Sequence, residues 1–93
     1  MMDTFTIDCA TVESEADFWR TYVNEVQPEG AGYFGQNLNA FWDAVSGGGP
    51  GWPGECELRF TNTNHLVKIN DGGFLRALSD IARDSKLVRV VLL

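Results

Sequence analysis

Basic residues are scarce in this chain, and histidine and cysteine scarcer still. Seven Lys and Arg stand against thirteen Asp and Glu, with one His and two Cys among 93 residues. The formal net charge of -6 and the lack of any basic stripe argue against direct nucleic-acid binding, because phosphate contacts need clustered Lys and Arg. The acidic surplus suits a cationic partner or simple solubility. Cys9 and Cys56 stand far apart, form no C-x-x-C and have no His close in sequence, whereas a zinc site wants four ligands at recognisable spacing. Both read as buried, reduced thiols of a cytosolic protein. No basic start followed by an apolar run marks a secretory signal. No apolar stretch approaches the roughly 18 residues that cross a membrane. The Gly47–Gly49 run lacks the strand-to-helix context and the Gly-Lys-Ser/Thr ending of a phosphate loop. Neither a metal nor a cofactor is expected.

The length fits one domain, residues 1–93, with no internal repeat or linker. Phe5 and Ile7 alternate with Thr4, Thr6 and Asp8, which predicts a strand with a buried face. Ser14 followed by Asp17 is a capping-box pattern. It opens an amphipathic helix with Phe18, Trp19, Tyr22, Val23 and Val26 on its apolar side, ending before Pro28. Pro28 to Gly32 is a loop. Asn37 caps a second helix with the stripe Leu38, Phe41 and Val45, which Gly47 ends. The glycine- and proline-rich stretch from Gly47 to Gly54 is a surface loop. Cys56, Leu58 and Phe60 alternate with polar residues in a second strand. Thr63–Ile69 suits a short helix, and Asp71 suits the cap of a further helix carrying Phe74, Leu75, Leu78, Ile81 and Ala82. The apolar run Leu87–Leu93 predicts a strand buried on both faces, as in parallel sheets. Strands separated by helices imply βαβ crossovers. The expected fold is α/β: a three-stranded parallel sheet flanked by about four helices in a single pair of layers, its strand order open.

Helical geometry, at about 100° per residue, isolates the informative side chains. Asn39, Trp42 and Asp43 form a polar-aromatic face beside the apolar stripe of the second helix. Asp80 and Asp84 lie one turn apart, away from Leu78. Like charges at this spacing cost a few tenths of a kcal/mol, and near a helix C-terminus they oppose its dipole. Folding alone does not require them. Each has a plain alternative: Asp43 as a solvated acid, Trp42 as core, Asp80 and Asp84 as surface charge, and Tyr33 as a residue packed on a helix end. Trp52, between two prolines in the glycine-rich loop, is harder to dismiss, because exposed aromatics often anchor interfaces. Enzyme signals are poor. A nucleophile at Cys9 or Cys56 paired with His65 stays open, as does a carboxylate site built from Asp43, Asp80 and Asp84. Neither cysteine sits at a convincing strand-to-helix elbow.

The segment Tyr33-Phe34-Gly35-Gln36-Asn37-Leu38-Asn39-Ala40-Phe41-Trp42-Asp43-Ala44-Val45 resembles the signature of the barstar family, in which a Tyr-aromatic-Gly-x-Asn-Leu run leads into a helix carrying an aromatic-Asp pair. Weaker similarity covers almost the whole chain, and the actinomycete-type inhibitors of guanyl-specific ribonucleases look closest. The resemblance implies a cytoplasmic inhibitor, monomeric when free, that pairs one-to-one with a small secreted guanyl-specific ribonuclease and binds neither nucleic acid nor membrane. By it, Tyr33, Asn39, Trp42 and Asp43 fall where the family contacts its nuclease. Counted back from the last strand, Asp80 and Asp84 fall on two acidic contacts, each a methylene shorter than the Glu of the best-known member. Three departures stand out: Asn39 and Gln36 each replace an acid, and Gly48 stands where that member has a Trp, a loss that Trp52 is placed to make good. The competing expectation is a barstar-like module that binds another basic protein without inhibiting a nuclease.

Overall fold

The computed structural model describes residues 3–93. Along the chain run β1 (Asp3–Asp8), α1 (Glu15–Val26), a 3-10 turn (Ala31–Tyr33), α2 (Leu38–Gly47), β2 (Cys56–Thr61), a 3-10 segment (Thr63–Gly72), α3 (Gly73–Asp84) and β3 (Arg89–Leu92). The strands pair in parallel in the order β1-β2-β3. Connections that step the same way across a parallel sheet, with the same hand, deliver their helices to one face.

The register makes this visible in the side chains. Phe5, Leu58 and Val90 are in line across the sheet, as are Ile7, Phe60 and Leu92, and this row packs into the core. Thr4, Thr6, Asp8, Arg59 and Arg89 point the other way and are exposed. The sheet is therefore covered on one side only, and two expectations change. First, β3 is four residues long, sits at the sheet edge and is not buried on both faces: Leu87 and Leu93 flank it at 48% and 55% exposure. A one-sided sheet demands apolar residues only at alternate positions. Second, there are three α-helices among the described residues, not about four. The helix expected at Thr63–Ile69 is a 3-10 segment that breaks where Ile69 turns extended and Asn70 and Asp71 turn left-handed (φ 53° and 50°). Asp71 consequently does not cap α3, since an N-cap residue needs an extended backbone. Gly72 holds that position without a side-chain bond.

The other caps hold. Ser14 Oγ accepts from Asp17 N–H at 3.2 Å, and Asp17 Oδ2 returns to Glu13 N–H at 3.1 Å. α1 then supplies the centre of the core. Phe18 stacks on Phe60 at 5.2 Å between ring centroids and meets Trp19 and Phe74 edge-on at 4.8 and 4.9 Å. Trp19 and Tyr22 each lie 5.4 Å from Phe41 of α2. Edge-on and offset pairs of this kind add about 0.5–1.5 kcal/mol each beyond area burial. The rings thus lock α2 to the core through Phe41, Ala44 and Val45, all fully buried, and so fix which side of α2 faces solvent. No helix among the described residues is long and apolar enough to cross a membrane.

Candidate functional site

The exposed side of α2 is set by its N-terminus. Asn37 Oδ1 accepts from Ala40 N–H at 2.8 Å, satisfying one of the free donors of the first turn. One face of the capped helix carries Phe41, Ala44 and Val45 inward, and Asn39, Trp42 and Asp43 stand on the other, exposed. Trp42 is 38% exposed, so it is not a core residue. The ion pairs of the described residues join Arg20 to Asp17, Lys68 to Glu13, Arg83 to Asp80 and Asp84, and Arg89 to Glu57. Asp43 is in none of them, and its carboxylate is open to a cation from outside.

Two loops close on this helix. After α2, Gly48 takes the left-handed conformation (φ 73°) and donates to Ala44 O at 3.2 Å. A residue with a Cβ is strained there by about 1–2 kcal/mol, which gives a backbone reason for the absent aromatic at this position. Gly49 N–H donates to Asp43 O at 3.3 Å, bringing the loop back onto the helix. The loop then pairs with the segment before α2: Gly51 N–H donates to Glu29 O at 2.8 Å, and Glu29 N–H to Trp52 O at 3.1 Å. Gly51 lies against the ring of buried Phe34. A Cβ on Gly51 would come within 2.6 Å of that ring, at a backbone φ of +95°. From beneath, the Tyr22 hydroxyl of α1 donates to Gly51 O at 2.8 Å.

Tyr33, Trp42, Asp43 and Trp52 accordingly belong to one tied assembly of α2 and its two flanking loops. Tyr33 is 87% exposed, next to Phe34 at 6%. Trp52 is half-buried and packs partly on the core, so its loop is a fastened structure and not a loose one. Gln36, just before the cap, is exposed and left-handed (φ 52°).

Asp80 and Asp84 stand apart from these ties. They lie on α3, which packs beside α2. Arg83 sits between them, its Nη1 3.3 Å from Asp80 Oδ1 and its Nε 3.1 Å from Asp84 Oδ1. The hydrogen bond to Asp84, then the charges of Asp84 and Asp80, raise the guanidinium pKa further. Sequence reasoning passed over Arg83, although its i, i+3 spacing from Asp80 was there to read. It also passed over the bond from Tyr22 to Gly51, for which a pair 29 residues apart carries no local signal.

The cysteines are free and buried. Burial, then the nearby charge of Asp8, pushes the Cys9 thiol up to about 11. Burial, then Asp3, does the same to Cys56. At neutral pH they hold almost no thiolate, the form a nucleophile needs. No group of three or more His, Cys, Asp or Glu able to hold a metal ion occurs among the described residues, and no pocket lies among them.

The chain matches the family model described as "Barstar (barnase inhibitor)" over residues 2–89, and so belongs to the barstar family. That family inhibits ribonucleases of the barnase type. No curated protein matches the chain.

Proposed function

We propose that this protein inhibits a small, secreted, guanyl-specific ribonuclease by inserting the exposed face of α2 into its active site, with the Asp43 carboxylate in the place of the RNA phosphate. A ribonuclease that cleaves through a cyclic phosphate gathers Arg, Lys and His around the scissile phosphate. A carboxylate delivered there accepts charge-assisted, bidentate bonds in a site emptied of water. The single observation that carries this reading is the Asp43 carboxylate: exposed, paired with no cation among the described residues, and fixed on a capped helix. Little conformational freedom is lost when it binds. Tyr33, Trp42 and Trp52 surround the contact and exclude water, as neighbours of a hot spot do. Asn39 supplies a neutral hydrogen bond. Asp80 and Asp84 act from the rim, chiefly on the association rate.

The test is an RNA-cleavage assay with a small guanyl-specific ribonuclease titrated with the purified protein. Stoichiometric loss of cleavage at one-to-one supports the reading. Binding without loss of cleavage defeats the insertion of Asp43 into the active site, and no binding at micromolar concentration defeats the inhibitor reading and favours a module that binds another basic protein. In calorimetric titration Asp43→Ala is expected to weaken the complex by about 2–5 kcal/mol. That range is the usual cost of truncating one partner of a buried charge pair, and the barnase–barstar complex is among its sources, so it carries over from the family and not from this geometry. A loss below about 1 kcal/mol removes Asp43 from the centre of the interface.

A further inference from the structure

The two edges of the sheet are built differently. β1 begins and ends on an acid, Asp3 and Asp8, and turns Thr4, Thr6 and Asp8 to the bare side. β3 lacks such guards. Natural edges are kept from pairing by charges, prolines and bulges, yet residues 85–93 contain no acid and no proline, and Lys86 lies before the strand. The one charge within β3 is drawn inward across β2, with Arg89 Nε 3.5 Å from Glu57 Oε1. The bare side of this edge is left with half-buried Val91 and exposed Leu93.

The backbone of the edge is open as well. Leu93 N–H donates to Phe60 O at 2.8 Å, and Leu93 O accepts from Thr63 N–H at 3.0 Å. Successive residues of a strand turn their backbone groups to opposite neighbours. Arg89, Val91 and Leu93 therefore face β2, and Val90 and Leu92 present N–H and C=O outward. Among the described residues no strand lies on that side, and neither residue has a backbone partner there.

The spacing of these groups selects an occupant. In an antiparallel pair, opposed residues alternate between pairs that exchange both backbone bonds and pairs that exchange none. Laid antiparallel on a copy of itself about Val91, the edge sets Val90 against the copy's Leu92 and Leu92 against the copy's Val90. Every outward group is then bonded. Val91 meets its own counterpart in the close pair, at about 4.5 Å between Cα atoms, and Leu93 covers the stem of the copy's Arg89. No like charges face each other in this register.

We propose that the outer edge of β3 pairs antiparallel with the same edge of a second copy of this chain, about a two-fold axis at Val91, joining two three-stranded sheets into one of six strands. A β1 edge fits less well, because it sets threonines and Asp8 against Val91 and Leu93, and a head-to-tail contact does not close. Five residues from each copy make a small interface, and contacts of that size are transient. The free chain is thus monomeric when dilute and dimeric when concentrated. The pairing uses no residue of α2 and stands independently of the ribonuclease reading.

Sedimentation equilibrium of the full chain from about 20 μM to about 1 mM tests it. The weight-average mass should climb toward twice the monomer mass and stop there. Val91→Lys places two ammonium groups opposite each other at the axis and should lower the association constant on the order of tenfold. Leu93→Lys, at an exposed position, should lower it in the same direction, and an unchanged urea midpoint shows that each variant is folded. Thr6→Lys, on the bare side of β1, should leave it unchanged. Register is read by oxidation: Val91→Cys should form a disulfide-linked dimer several-fold faster than Thr6→Cys. A monomer mass throughout, growth past the dimer, association untouched by Val91→Lys and Leu93→Lys, or equal oxidation rates each overturn the proposal.

Discussion

Replacing Tyr22 with Phe removes one oxygen from the core and leaves its packing in place. Among the described residues its hydroxyl is the one side-chain donor to Gly51 O, at 2.8 Å, in a fully buried setting. The variant leaves a buried carbonyl without its partner, which costs about 1–3 kcal/mol. A chain of this length has on the order of 5–14 kcal/mol in total, so the loss is visible in urea unfolding as a lower midpoint at unchanged slope. In a thermal melt it appears as a fall of about 4–8 °C per kcal/mol. Gly51→Ala attacks the same junction from the other side. Its Cβ would meet the Phe34 ring at 2.6 Å with φ at +95°, adding overpacking of about 1–3 kcal/mol to backbone strain of about 1–3 kcal/mol. Because both changes loosen one contact, the double variant should lose less than the sum of the two. Both should also weaken ribonuclease inhibition under conditions where the protein remains folded, since Trp52 follows Gly51 directly. A loss below about 0.5 kcal/mol for Tyr22→Phe, or strict additivity in the double variant, would refute the claim that α1 fastens the recognition loop from beneath.

Two further outcomes are expected. Asn37→Ala should cost about 1 kcal/mol by removing the cap of α2, read as a shift in urea midpoint; Asn37→Gly should recover most of it, and a failure to do so would assign the loss to something other than the cap. Stability should fall as pH rises from about 9 to about 11, because the Cys9 and Cys56 thiols are held up to about 11 in the folded protein and the unfolded chain releases those protons earlier, near 8.5. A raised folded pKa means the contribution is complete below pH 8.5 and is lost above it, at up to about 1.4 kcal/mol per pH unit for each thiol. Urea unfolding between pH 7 and 10 reads the slope, and a Cys9→Ala, Cys56→Ala variant with the same slope would sink the assignment.

Local chemistry was the legible part of the chain. Ser14 and Asn37 cap because a short polar side chain reaches a donor two or three residues on, and such reach is written in spacing. The same holds for the inward row Cys56, Leu58 and Phe60 and for the outward face Asn39, Trp42 and Asp43, since strand and helix periods are properties of the backbone. Where local rules competed, the reading failed. Asp71 is an acceptable cap by type, yet the Asn70-Asp71 pair prefers the left-handed turn that Asn and Asp tolerate. Leu87–Leu93 is apolar enough for a doubly buried strand, yet it lies at an edge.

The sequence by itself determined the three strands, the three α-helices, the caps at Ser14 and Asn37, the buried stripe of each helix and the motif from Tyr33 to Val45 that resembles the family signature. Each of these depends on residues within a few positions of one another. Tertiary structure alone decided the strand order, the bare side of the sheet, the seat of Gly51 between Phe34 and Tyr22, and which carboxylates keep a cation of their own. These are contacts between distant segments, and such contacts are chosen by how whole surfaces fit together, a quantity that no window of sequence contains.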